Sequence, residues 1–560
     1  MIIKIFLRIL VLLLLYTPAF ACSNEDVVFA DKLEEQGKVV ISTSQKQMPV
    51  LALKADNELL QIKLQAGSIF PYSVKKVVID LNRTTDITDI ETIKLIYLGS
   101  DPSARSGILF ALISSPSQSV IFSGNLEIKS KDAYFRLIVT VKNKTDLLHR
   151  IYASCKSVET DFEIINNEEQ NKHKGLRMGI ALRQHGDDQV NTYRIPGLTT
   201  SKIGTLLAIY DVRRESSRDL QGNIDIGISR STDRGTSWEP IKIALDRGEW
   251  GELPQKFNGI SDACILVNER NNDIFIAGLW MYGVLDKNGK WIEGLNENST
   301  NWEHQWKGKG SQPGLDVKQT CQFLVTKSID DGRTWSEPIN LTQMCKKEEW
   351  WLWAPAPGHG ITLNDGTLVF PTQGRDESGE SFSNITWSKD GGTSWHTSNP
   401  ASKGTTENMV VQLGDGSIML NARDGKNKGN ISSTNGRVIN TSIDFGENWT
   451  VHSTSRGALI ESGCMASLHK HVYKENGAKK SILLFSNPSS KSGRNHMTIK
   501  VSFDDGASWP EKNWIMLDEG SGRGYSCLTS IDERAIGILY EGSQADMIFQ
   551  KIALNELLKP

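Results

Sequence analysis

From residue 39 onward the apolar residues fall into short, β-branched, partly alternating runs, at 39–43, 59–64, 74–81, 93–98, 108–113, 119–122 and 135–141. Turn residues separate them and no 3.6-residue period persists, so the pattern predicts strands. Seven such runs before about residue 175 predict a β-sandwich that either binds sugar chains or braces the larger C-terminal part of the chain. The stretch 166–174 is polar, with no apolar residue to bury, and predicts the linker out of that module.

Strand-like runs resume at 176–183 and continue to the end, punctuated by one phrase, Ser-x-Asp-x-Gly-x-x-Trp. It opens at Ser231, Ser328, Ser388, Ser442 and Ser502 and closes at Trp238, Trp335, Trp395, Trp449 and Trp509. Ser and Asp side chains accept from turn N–H groups, Gly supplies positive φ, and Trp folds over the turn as an apolar lid. After one long first gap the copies recur about every 60 residues, which suits a four-stranded sheet and its turns. Six such units fit between about residue 180 and the end, so the expected architecture is all-β. It is a six-bladed β-propeller over 176–560 preceded by a β-sandwich over 22–175, with one blade lacking the phrase. The phrase is a fold staple, and the chemistry lies elsewhere. The long gap predicts a rim insertion at 288–313, and the Trp-rich segments at 280–306 and 350–353 are read as core packing in preference to sugar stacking.

Composition adds limits. The chain has 560 residues, 38% hydrophobic and 23% charged, with a net charge of −3 and no long basic run, which excludes a nucleic-acid partner. Lys4 and Arg8 precede an apolar segment too short to span a bilayer, followed by Ala19, Ala21 and Cys22. This predicts a cleaved leader over 1–21 and an exported protein. Cys22 resembles a lipoprotein junction, so a lipid anchor and plain secretion are both compatible with it. The other six cysteines are scattered without a Cys-x-x-Cys pair, which argues for buried thiols and against zinc.

Three arginines stand where a structural protein seldom places charge. Arg194 precedes Ile-Pro-Gly at a strand end, Arg423 ends the run 417–423, and Arg494 follows a Ser-Gly turn. They belong to different blades, whose innermost strands meet at a central channel. Three guanidinium groups there would hold a carboxylate through paired N–H donors.

Together, Tyr193-Arg194-Ile195-Pro196, the five Asp-box phrases and Gly524-Tyr525-Ser526 resemble the bacterial exo-sialidases over about 176–555. The preceding region resembles the N-terminal β-sandwich of sialidases from gut-type Gram-negative bacteria. The resemblance implies an exo-α-sialidase that releases terminal sialic acids from glycoproteins, gangliosides and oligosaccharides, as a monomer and without metal or organic cofactor. It assigns Arg194, Arg423 and Arg494 to the carboxylate, Tyr525 as nucleophile, Glu407 as its base and Asp219 as acid/base. It further implies that Arg213 contacts the sugar near O4, that Glu541 orients Arg194, and that Asp262 lines the site. A phenol nucleophile suits this substrate, because a carboxylate would approach the charge already carried on the anomeric carbon. Two features depart from the pattern: Arg214 and Arg218 crowd the Asp219 loop, and the segment 458–465 differs from the expected leaving-group side. The same residues would serve a trans-sialidase, inter- or intramolecular. A non-catalytic sialic-acid-binding propeller would need only the arginines.

Overall fold

The computed structural model describes residues 38–559, apart from 68–69, 169–172, 221, 285, 287–289, 291, 293–303 and 305–310. The expected leader at 1–21, Cys22 and most of the 288–313 insertion lie outside the described residues. Within that insertion His304 is buried. Its Nε2 lies 2.8 Å from the Val317 carbonyl, and Nδ1 accepts from the Tyr282 N–H at 3.1 Å.

All seven predicted N-terminal runs are strands. With two further strands, Ser154–Thr160 and Ile164–Asn166, they build two facing sheets of five and four strands, with buried side chains alternating along Asn57–Ala66 and Asp132–Val141. The sandwich is sewn to the C-terminal region by two short pairings. Val50–Ala52 runs parallel to Leu176–Arg183, and Arg150–Ile151 pairs antiparallel with the same strand. Neither shows in the apolar pattern, because they are only three and two residues long. One apolar core runs through the seam, from Val50 and Ala52 to Leu182, Tyr193 and Phe549. The expected linker is also tied down at its ends. The Asn167 amide donates to the Cys155 carbonyl, and His173 Nε2 lies 2.8 Å from the Thr43 hydroxyl.

Six blades then form the propeller. Blade I comprises Thr192–Thr200, Leu206–Arg213, Ile224–Ser231 and Lys242–Leu245, each antiparallel to the last. Blades II to V repeat the plan, and the innermost strands touch around the channel. Blade VI takes three strands from the end of the chain, Ser526–Asp532, Ala535–Tyr540 and Met547–Ala553. Its outermost strand is Leu176–Arg183, supplied from before blade I. This is the blade without the repeated phrase.

In the other five, the third strand ends on the Ser of the phrase. The Ser231 hydroxyl donates to Asp233 Oδ1 and accepts the Gly235 N–H at 2.9 Å, while Asp233 accepts the Ser237 N–H at 2.9 Å. The Trp, however, does not simply lid its own turn. Trp238 packs edge-on against Phe549 of blade VI, and Trp395 packs against Phe275 of blade II. Trp449 Nε1 donates to Asn399 on the blade III side. The turn sits at the seam between blades, where a large ring buries more surface than it would over four turn residues. Of the aromatic segments, Trp280, Trp350 and Trp353 are buried, while Trp291, Trp302 and Trp306 lie outside the described residues. The six described cysteines are buried free thiols.

Candidate active site

Antiparallel alternation puts the starts of all innermost strands and the ends of all second strands at one mouth of the channel. Every predicted site residue lies there. Arg194, Asp262 and Glu407 sit near the starts of the innermost strands of blades I, II and IV, and Tyr525 directly precedes that of blade VI. Arg213 ends a second strand, Arg423 is the last residue but one of another, Glu541 follows one, and Arg494 lies in the turn after one.

The innermost strands are irregular at these residues. Pairing slips between Arg194 and Gly197, between Ser261 and Cys264, and between Thr405 and Asn408. Such bulges leave a residue unpaired and re-aim its neighbours. Ile195 and Asp262 consequently hold φ of 60° and 55°. For a β-branched residue that costs roughly 1–3 kcal/mol, which the surrounding packing must offset. Gly524 has φ 85°, and a Cβ there would lie 2.8 Å from Pro488 Cγ and 3.1 Å from Arg494 Cβ, so only glycine brings Tyr525 to this position.

Tyr525 is the hub. Its hydroxyl donates to Glu407 Oε1 in a short hydrogen bond. Arg423 Nη1 donates to Glu407 Oε2 at 2.7 Å and to the Tyr525 oxygen at 3.3 Å. The guanidinium carbons of Arg194 and Arg494 lie 5.5 and 5.6 Å from the centre of the Tyr525 ring, so the three arginines surround one side chain. Burial, then the Glu407 carboxylate, pushes the phenol well above its ordinary pKa, against the pull of Arg423. The resting phenol is therefore protonated. Glu541 accepts from Arg194 Nε at 2.5 Å, and from the Ile195 and Tyr525 N–H groups at 3.0 Å each, tying blade I to blade VI. Arg494 donates to the carbonyls of Arg523 and Gly463.

The Asp219 loop covers Arg213. The Arg213 guanidinium has no exposed surface; it donates to Asp211 at 2.8 Å and to Asp219, whose own side chain is 68% exposed. In this arrangement Arg213 holds Asp219. Of the two arginines expected to crowd the loop, Arg214 turns away to Asp225, while Arg218 lines the cavity beside Asp219. Beside Asp219 a cavity of about 320 Å3 is lined by Asp262, Leu279, Met281, Leu352 and Gln373. Burial first, then the carboxylates of Asp219 and Glu407, pushes Asp262 well above the usual carboxylate range, favouring a neutral group that donates hydrogen bonds.

Comparison with known proteins matches this geometry to a family. Residues 195–512 match a BNR repeat-like domain, and residues 38–163 match the N-terminal domain of BNR-repeat neuraminidase. Over 555 residues the chain is 36% identical to a sialidase of Bacteroides fragilis (strain YCH46), covering 94% of this chain and 96% of that protein. The chain belongs to the sialidase family. A Hadza microbial sialidase superposes with a TM-score of 0.82 at 34% identity, over 92% of this chain and 99% of that one. A sialidase of Paraclostridium sordellii is 29% identical over 63% of this chain and 81% of its own length.

Several residues of this sialidase site escape the sequence reading. Asp211 is fully buried and accepts from Arg213 and from the Ser261 hydroxyl, and burial pushes it up to about 6 despite Arg213. Its place two residues before Arg213 on one strand was the available signal, since such residues share a face. Gln373 and the cavity's apolar floor carried no signal, because their positions depend on how blades II and III meet. The segment 458–465 proves to be support: Glu461 pairs with Arg437, both fully buried, and Gly463 accepts from Arg494.

Proposed function

We propose that this protein is a retaining exo-α-sialidase that hydrolyses terminal α-linked sialic acids through a covalent sialyl-tyrosine. The observation that carries the reading is the Tyr525–Glu407 hydrogen bond encircled by Arg194, Arg423 and Arg494. A site that only bound a carboxylate would have no use for a phenol paired with a buried base.

In this reading the arginines receive the substrate carboxylate through charge-assisted hydrogen bonds, placing the anomeric carbon over the Tyr525 oxygen. As the Tyr525 oxygen bonds to that carbon, its proton passes to Glu407, and Arg423 steadies the negative charge gathering on both. The bond to the leaving sugar breaks, and Asp219, held by Arg213 at the rim, protonates the departing oxygen. In the second half Asp219 takes a proton from water, whose oxygen attacks the same carbon. Tyr525 leaves and recovers its proton from Glu407. The cavity beside Asp219 and Asp262 accepts the sugar's uncharged substituents on its apolar floor. The same reading places the protein outside the cytoplasm, on the strength of the leader sequence.

The test is trapping with a fluorinated, mechanism-based sialoside followed by peptide mass mapping. The expected adduct is on Tyr525; an adduct on any other residue, or none in an active preparation, rejects the nucleophile. Adding a galactoside acceptor during turnover of a sialyl-lactose separates hydrolysis from transfer, with free sialic acid as the expected product.

A further inference from the structure

The catalytic mouth leaves the opposite end of the channel unexplained. There a cavity of about 790 Å3 lies among the ends of the innermost strands, and His359 and His469 both line it. His359 belongs to Gly358–His359 of blade III and His469 to Ser467–Glu475 of blade V. Blade IV stands between those two in the ring. Their rings therefore meet across the channel, 5.3 Å between centres and 82° apart in plane.

The hydrogen bonds around these rings limit where the protons can be. His359 Nδ1 faces the Gly360 carbonyl at 3.0 Å; a carbonyl only accepts, so the proton is on Nδ1 and Nε2 carries a bare lone pair. That Nε2 is buried and has no hydrogen-bond partner. His469 Nε2 and His471 Nδ1 both lie 2.8 Å from the Ser530 hydroxyl. A hydroxyl has one proton, so it donates to one ring and accepts from the other. When Ser530 donates to His471 Nδ1, His469 Nε2–H donates to Ser530 and the lone pair of His469 is left on Nδ1. Two rings in one cavity thus carry unprotonated nitrogens, and burial keeps both rings neutral.

We propose that His359 Nε2 and His469 Nδ1 form a binding site for a divalent first-row transition ion of the class imidazole prefers, such as Zn2+ or Ni2+. Neutral imidazole suits these ions, and a ring whose other nitrogen is already hydrogen-bonded is pre-oriented for them. Two imidazoles sharing a tetrahedral ion, with bonds of about 2.0–2.1 Å, have ring centres roughly 5 Å apart, as these rings do. Glu269, Asp532 and Glu533 line the same cavity and offset the added charge, with water completing the shell. The ion would join blade III to blade V at the mouth remote from Tyr525. It would stabilise the ring without touching turnover.

The test is titration of the full chain with Zn2+ by calorimetry, with thermal unfolding and activity measured alongside. One ion per chain is expected, with a rise in melting temperature of about 2 °C or more and unchanged sialoside hydrolysis. His359→Ala and His469→Ala should each abolish that binding. Asp89→Asn should retain it, which separates this site from the other cluster with metal-like spacing, Asp86, Asp89 and His149. Anomalous scattering from a Zn2+-soaked crystal of the unaltered chain locates the ion whatever the variants' folding, and the expected peak lies between the two rings. No stoichiometric binding, a peak elsewhere, or binding that survives both histidine substitutions would overturn the proposal.

Discussion

The outer edge of this propeller and its catalytic mouth are built on opposite principles. Around the outer edge, the third strands end five times on the same serine and the same turn, with hydrogen bonds of 2.8–2.9 Å repeated from blade to blade. At the catalytic mouth the repeat breaks down. Three innermost strands bulge, two of their non-glycine residues hold positive φ, and the blades contribute unlike sets of side chains. Regularity stabilises the ring, and departure from regularity makes the site. Substitutions at the two places should therefore separate cleanly into changes of rate and changes of stability.

The largest expected effect is Tyr525→Phe, which keeps the ring packing and removes only the oxygen. Turnover should fall roughly 10³-fold or more with an unchanged melting temperature. Near-normal turnover would show that the irregular mouth does not act through this residue. Next comes Asp219→Asn, with a loss of roughly 10²–10⁴-fold on a sialyl-lactose substrate and a far smaller first-step loss on an activated aryl sialoside, whose leaving group needs no proton. Equal first-step losses on both would remove Asp219 from the acid role.

Arg494→Ala is smaller still. Among the described residues its guanidinium hydrogen-bonds the Arg523 and Gly463 carbonyls and no carboxylate, so no buried carboxylate is orphaned. kcat/KM should fall about 10- to 100-fold, the worth of one charge-assisted contact, in a folded protein. Loss of the fold would assign Arg494 to the scaffold. The smallest effect belongs to the other edge: Ser231→Ala removes the link from Asp233 to Gly235 and should cost about 1 kcal/mol in denaturant unfolding, with kcat unchanged. A rate change there would break the contrast between the two places.

This contrast also explains what the sequence made legible. Repetition announced the blades, and five phrases in room for six units correctly left one sheet without its staple. The site was readable only because Arg194, Tyr525 and their companions occur in phrases shared with a known family. Composition and period alone would have left each arginine a rim ion pair. The pairing of Val50–Ala52 with Leu176–Arg183 was not readable at all. A three-residue strand has too few positions to show a period, and its partner lies well over 100 residues away. The same holds for Arg213 under the Asp219 loop, since burial depends on how a loop folds back and not on which residues compose it.

The outermost strand of blade VI gives the molecule an order of assembly. Leu176–Arg183 leaves the ribosome long before Met547–Ala553, with which it pairs, so the ring stays open until almost the whole chain exists. Closing so long a loop is slow, because its entropy is lost before the contacts form. Tyr525 and Glu541 both belong to the blade that closes last, and Glu541 grips Arg194 of the blade that forms first. Nascent chains, and chains clipped before residue 525, consequently lack both Tyr525 and Glu541 and leave Arg194 without its clasp. The enzyme arms itself in the same event that completes its fold.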